Sequence, residues 1–261
     1  MAPLKPQPLA AWAIFGIAAG FFTIPLIATV IFSLSMKRNG WSFEAYRIVL
    51  SDSSFIAAFG YSLAQAIAAV LISTLLIVPA AYWVRLYLPA MKQWVEFITL
   101  LPLVIPSIIL VFGYLRLYNS ASWLPLTSNA RSTDALLSFG YVTLAMPYLY
   151  RTIDAGLRAM DVRTLTEAAQ SLGAGPLNIL IRVILPCLRG SILNGAFLTL
   201  AIVMGEFTLA SLLDRPALGP YLQLIGANRA YEPAALAVIA FSLTWFCMGF
   251  FQYFSNWRRG V

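Results

Sequence analysis

The side chains that could carry chemistry in this sequence are few. Glu206 is the one acid deep within a long apolar run, in the stretch 203–208, VMGEFT. The chain has no histidine, which excludes a histidine-ligated metal site and a histidine-based triad. Two cysteines are too few for a disulfide framework, and neither a GxxxxGK nor a GxSxG motif occurs. We therefore expect no catalytic residue and no metal ligand.

Glu206 needs a physical reason to lie among apolar residues. A carboxylate inside a spanning helix costs about 2.5–3.5 kcal/mol, so it should face a partner group or a wet cavity. Gly205 beside it would let a solute or another helix approach. In one interpretation Glu206 lines a translocation path and attracts a cationic solute. In the other it is hydrogen-bonded within the bundle or paired with an arginine of a partner, and the sequence leaves both open.

One long segment, 161–186, mixes polar and apolar residues, whereas the rest of the sequence has the long apolar runs that are typical of a membrane protein. Thr166 could cap a helix that starts near Glu167, where an acid suits the positive end of the helix dipole. Gly173 and the residues after it would stop that helix. Four residues at helical spacing predict its apolar face: Leu165, Ala168, Ala169 and Leu172.

A second helical run is predicted at 177–185, with its end at Pro186. Two short helices around a glycine turn, outside the bilayer, would form a compact docking knob. The competing interpretation is an ordinary amphipathic surface helix with a glycine cap.

The spacing within this segment resembles a known motif. Glu167-Ala168-Ala169, three residues, Gly173, nine residues and then 183–186, VILP, is similar to the cytoplasmic EAA loop of permease subunits in binding-protein-dependent ATP-binding-cassette (ABC) importers. The family has isoleucine where this chain has Val183. In that family the loop is a coupling helix that fits a groove on the ATPase. The resemblance implies a coupling role for Glu167, Ala168, Ala169, Gly173, Leu185 and Pro186.

Amino-acid composition indicates a membrane protein independently of the motif. The chain is 61% hydrophobic and 10% charged, with a mean hydropathy of +0.81. Soluble domains carry about a quarter charged residues, so this chain requires lipid as its solvent. The net charge of +7 comes from scattered cations without a patch, which fits anionic lipid better than nucleic acid.

The uncharged stretches predict an all-α membrane protein with six transmembrane helices, and the resemblance implies that 1–261 form a single permease domain. The EAA loop, 151–189, would lie between helices 4 and 5. Pro102 and Pro106 would bend the third span, either to line a pore or merely to improve packing. The predicted spans are about 9–34, 55–83, 97–115, 135–150, 190–213 and 234–257.

Six spans put both termini on the side of the loop, and that side also holds most of the lysines and arginines, as the positive-inside rule requires of the cytoplasm. The resemblance places the loop against a cytoplasmic ATPase. We therefore expect a multi-pass protein of the bacterial inner membrane with both termini cytoplasmic.

Among subfamilies the sequence is most similar to spermidine/putrescine permeases, through 161–163, DVR, leading into the EAA triplet, and through the acid in span five. Iron(III), thiamine, sulfate, molybdate and phosphonate systems share much of this. The family implies two ABC ATPase subunits, a second permease subunit expected to be a different chain, and an extracytoplasmic solute-binding protein. ATP and Mg²⁺ would be bound by the partners, so this chain itself would hold no cofactor. An intramembrane enzyme and a membrane scaffold or receptor are the other classes considered.

Overall fold

The computed structural model describes residues 8–37 and 40–257, and its regular elements there are helices. Long apolar runs adopt helices because a helix satisfies its own backbone hydrogen bonds in lipid. This confirms the all-helical class. The helices are α1 (Pro8–Leu34), α2 (Glu44–Ser51), α3 (Ser53–Tyr87), α4 (Lys92–Val104), α5 (Ser107–Leu117), α6 (Ala130–Arg158), α7 (Val162–Ser171), α8 (Pro176–Ile179), α9 (Leu185–Gly205), α10 (Thr208–Leu212), α11 (Leu218–Asn228) and α12 (Glu232–Trp257).

Three helical stretches among the described residues are long and apolar enough to cross a membrane: Ala11–Leu34, Ser53–Tyr87 and Pro176–Gly205. A bent pair, Pro89–Val104 with Ser107–Leu117, adds a fourth if its halves form one span. The predicted fourth span lies within α6, whose 29 residues include charges towards both ends. The count of six spans therefore stays a prediction. The predicted cytoplasmic location of both termini concerns the chain ends. These ends, 1–7 and 258–261, lie outside the described residues.

The predicted third span is broken rather than curved. α4 and α5 meet at 98°, and the break falls at Ile105 and Pro106. Ile105 is extended (ψ 115°) because the ring of a following proline disfavours the helical conformation. Pro106 precedes the first turn of α5, whereas Pro102 lies inside α4. The bend expected from the two prolines is confirmed, and Pro106 causes it.

The chain divides into two compact units. Of the described residues, the first unit holds 8–37 and 40–55 together with Leu222–Phe246. In it the rings of Phe32 and Tyr231 stack with centroids 4.9 Å apart, and Ser33 shares a 2.6 Å hydrogen bond with Tyr46. These contacts tie the end of α1 to α2 and to the residue before α12.

The second unit holds Ile56–Tyr221 and the described residues 247–257. It contains both the 161–186 segment and Glu206. Its centre is the packing of α6 against α9. A side chain at Gly156 would collide with Ser191 and Leu188, and one at Gly195 would collide with Leu149. These glycines are needed because they let the two helix backbones approach closely, as small residues do between membrane helices.

Two apolar clusters fill this unit. One joins the carboxyl ends of α3 and α6 to α7 and to the beginning of the α8–α9 stretch, with Tyr82, Ile153 and Ile184 fully buried. The other joins α3, α5, α6 and α10 around Val111, Tyr141 and Leu209. The first cluster therefore supports the predicted docking knob, residues 161–186, which is called the docking segment below. The second cluster supports the neighbourhood of Glu206.

Candidate coupling and translocation sites

Helix α7 begins earlier than predicted, at Val162, and Asp161 caps it. The Asp161 carboxylate accepts from the Thr164 backbone N–H (3.2 Å) and from its hydroxyl (2.7 Å). These hydrogen bonds lower the pKa of Asp161, the hydroxyl contributing most. Thr166 is not the cap. It is buried inside the helix, where its hydroxyl donates to the Val162 carbonyl and lies 3.1 Å from the Tyr82 hydroxyl.

The buried face of α7 differs from the predicted one. Leu165 and Ala169 do pack inward, but Ala168 is exposed and the Leu172 side chain is 88% exposed. The face is centred on Thr166 because that residue meets α3. Close approach by a partner is therefore available at Ala168 and not at Ala169.

Glu167 lies on the exposed side of α7. Its side chain is 61% exposed and pairs with Arg163 one turn earlier, with a 2.9 Å distance between Arg163 Nε and a carboxylate oxygen. The carboxylate raises the pKa of Arg163. An exposed pair of this kind contributes little to stability, so Glu167 is accessible to a partner.

Gly173 ends α7 in the left-handed region, with φ +82°. Its N–H donates to the Gln170 carbonyl (2.9 Å), and the Ala174 N–H donates to the Ala169 carbonyl (3.0 Å). This pair of hydrogen bonds is the Schellman motif, which favours glycine because other residues are strained there. The predicted helix stop at Gly173 is confirmed.

The second helix of the predicted knob does not end at Pro186, which corrects that expectation. The chain stays helical from Pro176 to Gly205, passing through a π-helical turn at Leu180–Ile184. In that turn the Leu185 N–H donates to the Leu180 carbonyl. The wider turn accommodates Pro186, which has no N–H to donate. Leu185 is partly buried and Pro186 is exposed, so the docking segment continues directly into a membrane-length helix.

The exposed side of the segment combines acidic, small and apolar side chains. Leu172, Leu177 and Ile181 are exposed on the same 161–186 segment as the exposed Glu167 and Ala168. Several exposed large apolar side chains on one polar segment are typical of a surface that another protein covers.

Glu206 lies at a break between helices. α9 ends at Gly205, Glu206 is extended (φ −78°, ψ 130°), and α10 begins at Thr208. Both carboxylate oxygens lie 3.0 Å from the Leu209 backbone N–H, so the side chain caps the amino end of α10. This arrangement matches the interpretation in which the acid is hydrogen-bonded within its own bundle. Gly205 is exposed, with open space where a side chain would be.

A close backbone contact supports the break. Gly219, at the start of α11, has no space for a side chain, because a β-carbon there would lie 2.9 Å from Phe207 Cα and would also collide with the Glu206 carbonyl. The preceding Leu218 N–H donates to the buried Ser62 hydroxyl of α3 (2.8 Å). The backbone at Glu206 therefore packs directly against α11, and α11 is in turn hydrogen-bonded to α3.

Sequence reasoning missed a polar cluster at the beginning of α6. Asp134 pairs with Arg215 (3.0 Å) and accepts a 2.6 Å hydrogen bond from the Tyr61 hydroxyl. Gln65, one turn along α3, contacts Tyr61 and Ser138. The signal was available as polar residues four apart on two apolar helices.

A second cluster was also missed, at the other end of α6. Arg158 donates from Nε to Asp154 (2.7 Å), and its terminal nitrogen lies 3.2 Å from Glu96 of α4. Arg85 of α3 approaches Asp154 at 3.6 Å, and Lys92 approaches Glu96 at 3.7 Å. Neither cluster suits a metal, and within 8–37 and 40–257 no three Cys, Asp or Glu residues converge.

The chain belongs to the family described as "Binding-protein-dependent transport system inner membrane component", which matches residues 73–260. The matched part contains the docking segment, the Glu206 break and the bent third span. This is an ABC importer permease subunit, a multi-pass inner-membrane class that is not itself catalytic. The predicted membership in the permease family of binding-protein-dependent ABC importers is confirmed, whereas the role of the EAA loop stays a prediction.

Named relatives are similar at low identity. The putrescine transport system permease protein PotI of Escherichia coli (strain K12) is 27% identical over 217 residues, covering 78% of this chain and 75% of that protein. The spermidine/putrescine transport system permease protein PotC of the same strain is 24% identical over 76% of this chain and 74% of that protein. A probable sulfate transport system permease protein, cysT of Prototheca wickerhamii, is 26% identical over 70% of this chain and 72% of that protein.

Solved structures share the fold. A bacterial ABC transporter involved in import of the acidic polysaccharide alginate superposes with a TM-score of 0.71 at 16% identity, covering 95% of this chain and 94% of that chain. The same transporter type in complex with an alginate pentasaccharide-bound periplasmic protein gives 0.68 at 16% identity, with 91% of each chain covered.

Proposed function

We propose that this importer permease passes a polyamine such as putrescine or spermidine. The observation that carries the proposal is the extent of similarity to PotI and PotC, which spans about three quarters of each protein. The chemistry of the broken fifth span agrees with a cationic solute. Glu206 directly follows the carboxyl end of α9, which is the negative end of a helix dipole, and its carboxylate is directed to the first turn of α10.

Glu206 keeps acceptor capacity for a cation although it caps α10. A carboxylate has about four lone-pair sites, and at Glu206 the backbone donors are the N–H of Leu209 (3.0 Å) and, at 3.5 Å, that of Ala210. The open space at Gly205 would admit an ammonium group to the same carboxylate. Broken helices of this kind bind solutes and ions in other transporters.

The proposed path also uses the broken third span. α10, which Glu206 caps, packs against α5 through the cluster that contains Val111 and Leu209. α5 begins immediately after Pro106, and Pro102 lies one turn earlier in α4. A change in the bend would therefore move the helix that supports Glu206.

The proposed assembly contains two ATPase subunits, a second permease subunit of a different sequence and an extracytoplasmic binding protein. Support comes from the family and from a structural neighbour whose complex includes a periplasmic protein. The exposed side of α7, with Glu167 and Ala168, would contact an ATPase in the cytoplasm, on the side that also holds both termini. ATP and Mg²⁺ would be bound by the ATPases.

An oxyanion importer is the second candidate function. The observation that favours it is the cysT relative, whose identity is close to that of PotI and PotC. In that case Glu206 would serve only as the cap of α10, and its charge would not be needed for the solute.

The test is the ATPase activity of the importer in lipid nanodiscs with its co-purified partners and its binding protein. We expect stimulation by binding protein loaded with putrescine or spermidine and none with sulfate. Glu206→Gln keeps a capping oxygen but removes the charge, and should raise the polyamine concentration for half-maximal stimulation. Glu44→Gln changes an exposed acid paired with Lys37 in the first unit and serves as the control. Stimulation by sulfate alone would favour the second candidate, and absence of any bound ATPase would favour a scaffold.

A further inference from the structure

An ion-pair chain crosses from α3 to α4 by way of the carboxyl end of α6. Asp154 is largely buried, with 12% of its side chain exposed, and is approached by both Arg85 and Arg158. Arg158 also pairs with Glu96 of α4, and this contact connects α4 to the ion pairs. The Arg158–Glu96 pair is partly exposed, so it contributes little to folding stability. A role in positioning α4 explains it better than a role in stability.

The carboxyl end of α6 is tightly connected to the docking helix. Only Ala159 and Met160 separate Arg158 from Asp161, and each residue spans at most about 3.6 Å. The Val162 N–H closes this link by donating to the Met160 carbonyl (3.0 Å). Because the link has little slack, a displacement of α7 must also displace the end of α6.

A second contact joins α7 to α3. The buried Thr166 and Tyr82 hydroxyls lie 3.1 Å apart, and Tyr82 is three residues before Arg85, which approaches Asp154. Movement of α7 therefore reaches Asp154 from two helices.

α4 and α6 contact each other, but side chains only partly fill the space between them at this level. A cavity of about 420 Å³ lies there. Its lining includes Glu96 of α4, and Asp154 and Arg158 of α6. The Arg158–Glu96 pair bridges this cavity, where fewer packed side chains oppose a displacement of α4 than a dry, close-packed contact would.

We propose that the Arg158–Glu96 ion pair transmits movement of the docking helix α7 to α4 and hence to the broken third span. The proposal rests on the proposed function, in which α7 contacts an ATPase and the third span borders the path. Arg158 and Glu96 are positioning residues, because neither is placed at the path or at the docking surface.

The test is a double-mutant cycle of Glu96→Gln, Arg158→Gln and the double variant in the importer reconstituted with its ATPases and binding protein. The readout is the ratio of putrescine transported to ATP hydrolysed. Glu96→Gln should lower this ratio roughly two- to five-fold, the range expected for one partly exposed pair. The double variant should be no worse than Arg158→Gln alone, because the two side chains act through one contact. Glu44→Gln again serves as the control, since it breaks an ion pair remote from α7 in the sequence.

A distance measurement separates transmission from general damage. With Cys187 and Cys247 replaced by serine, spin labels at Gln93 on α4 and Leu117 on α5 report the bend. In the wild type, trapping with ATP and vanadate should change the distance between the labels, and Glu96→Gln should reduce that change. Wild-type coupling in Glu96→Gln, or additive losses in the double variant, would overturn the inference alone. A wild-type importer that transports no putrescine would instead overturn the proposed function.

Discussion

The turn at Gly173 allows the sharpest prediction about the docking segment. Gly173 has φ +82°, and nothing lies within 4 Å of the position a β-carbon would take. The cost of Gly173→Ala is therefore backbone strain alone, about 1–2 kcal/mol for an L-residue in the left-handed region. Asparagine tolerates this region better, so Gly173→Asn should cost less than alanine.

Gly175 is the matched control. It also has open space around it, but its φ is −74° and its ψ 162°, a conformation that alanine adopts freely. Gly175→Ala should be neutral or slightly stabilising, because it reduces the freedom of the unfolded chain. The two glycines differ in backbone conformation and not in crowding.

Hydrogen exchange of the peptide that contains α7 measures the effect in the assembled importer. A cost of 1–2 kcal/mol corresponds to roughly a 5- to 30-fold rise in the exchange rate if the turn opens with the helix. Gly173→Ala should show this rise, Gly173→Asn a smaller one and Gly175→Ala none. Equal exchange in Gly173→Ala and Gly175→Ala would refute the assignment of the Schellman turn as the device that holds α7.

Two further predictions concern the packing of α6 on α9 and the cap of α7. Gly195→Ala should destabilise the protein by about 1–3 kcal/mol, because its β-carbon collides with Leu149, whereas Gly113→Ala should not, since nothing lies nearby; melting temperatures in detergent would compare them. The lowered pKa of Asp161 means that its capping is complete above the unfolded pKa of about 4 and is lost as the pH falls through the folded value. Exchange of α7, corrected for the intrinsic rate at each pH, should therefore rise on acidification below about pH 4, and Asp161→Asn should remove that dependence; an unchanged pH profile in the variant would contradict it.

The sequence predicts the helical class and the docking segment because both depend on local signals. Apolar runs bounded by charges indicate membrane helices, and Gly173 is recognisable since few other residues adopt its conformation. The break at Pro106 follows from the chemistry of proline for the same reason. These features need no knowledge of distant residues.

The errors arise where distant residues decide. Asp161 and Thr166 are both suitable caps by type, and only the contact of Thr166 with Tyr82, 84 positions away, shows which one is buried. Leu172 is exposed for the same reason, since packing on α3 sets the orientation of α7. The sequence shows that Glu206 is unusual, but its capping of α10 depends on a backbone break. That break packs closely against Gly219 of α11.

The measurement that tests the central claim most directly is transport itself. Proteoliposomes would contain the wild-type importer, with ATP inside and the binding protein with radiolabelled putrescine outside. We predict ATP-dependent accumulation of putrescine that is lost when non-hydrolysable nucleotide replaces ATP and that is not competed by sulfate. Absence of putrescine accumulation by an importer whose ATPase still responds to its loaded binding protein would contradict the polyamine assignment.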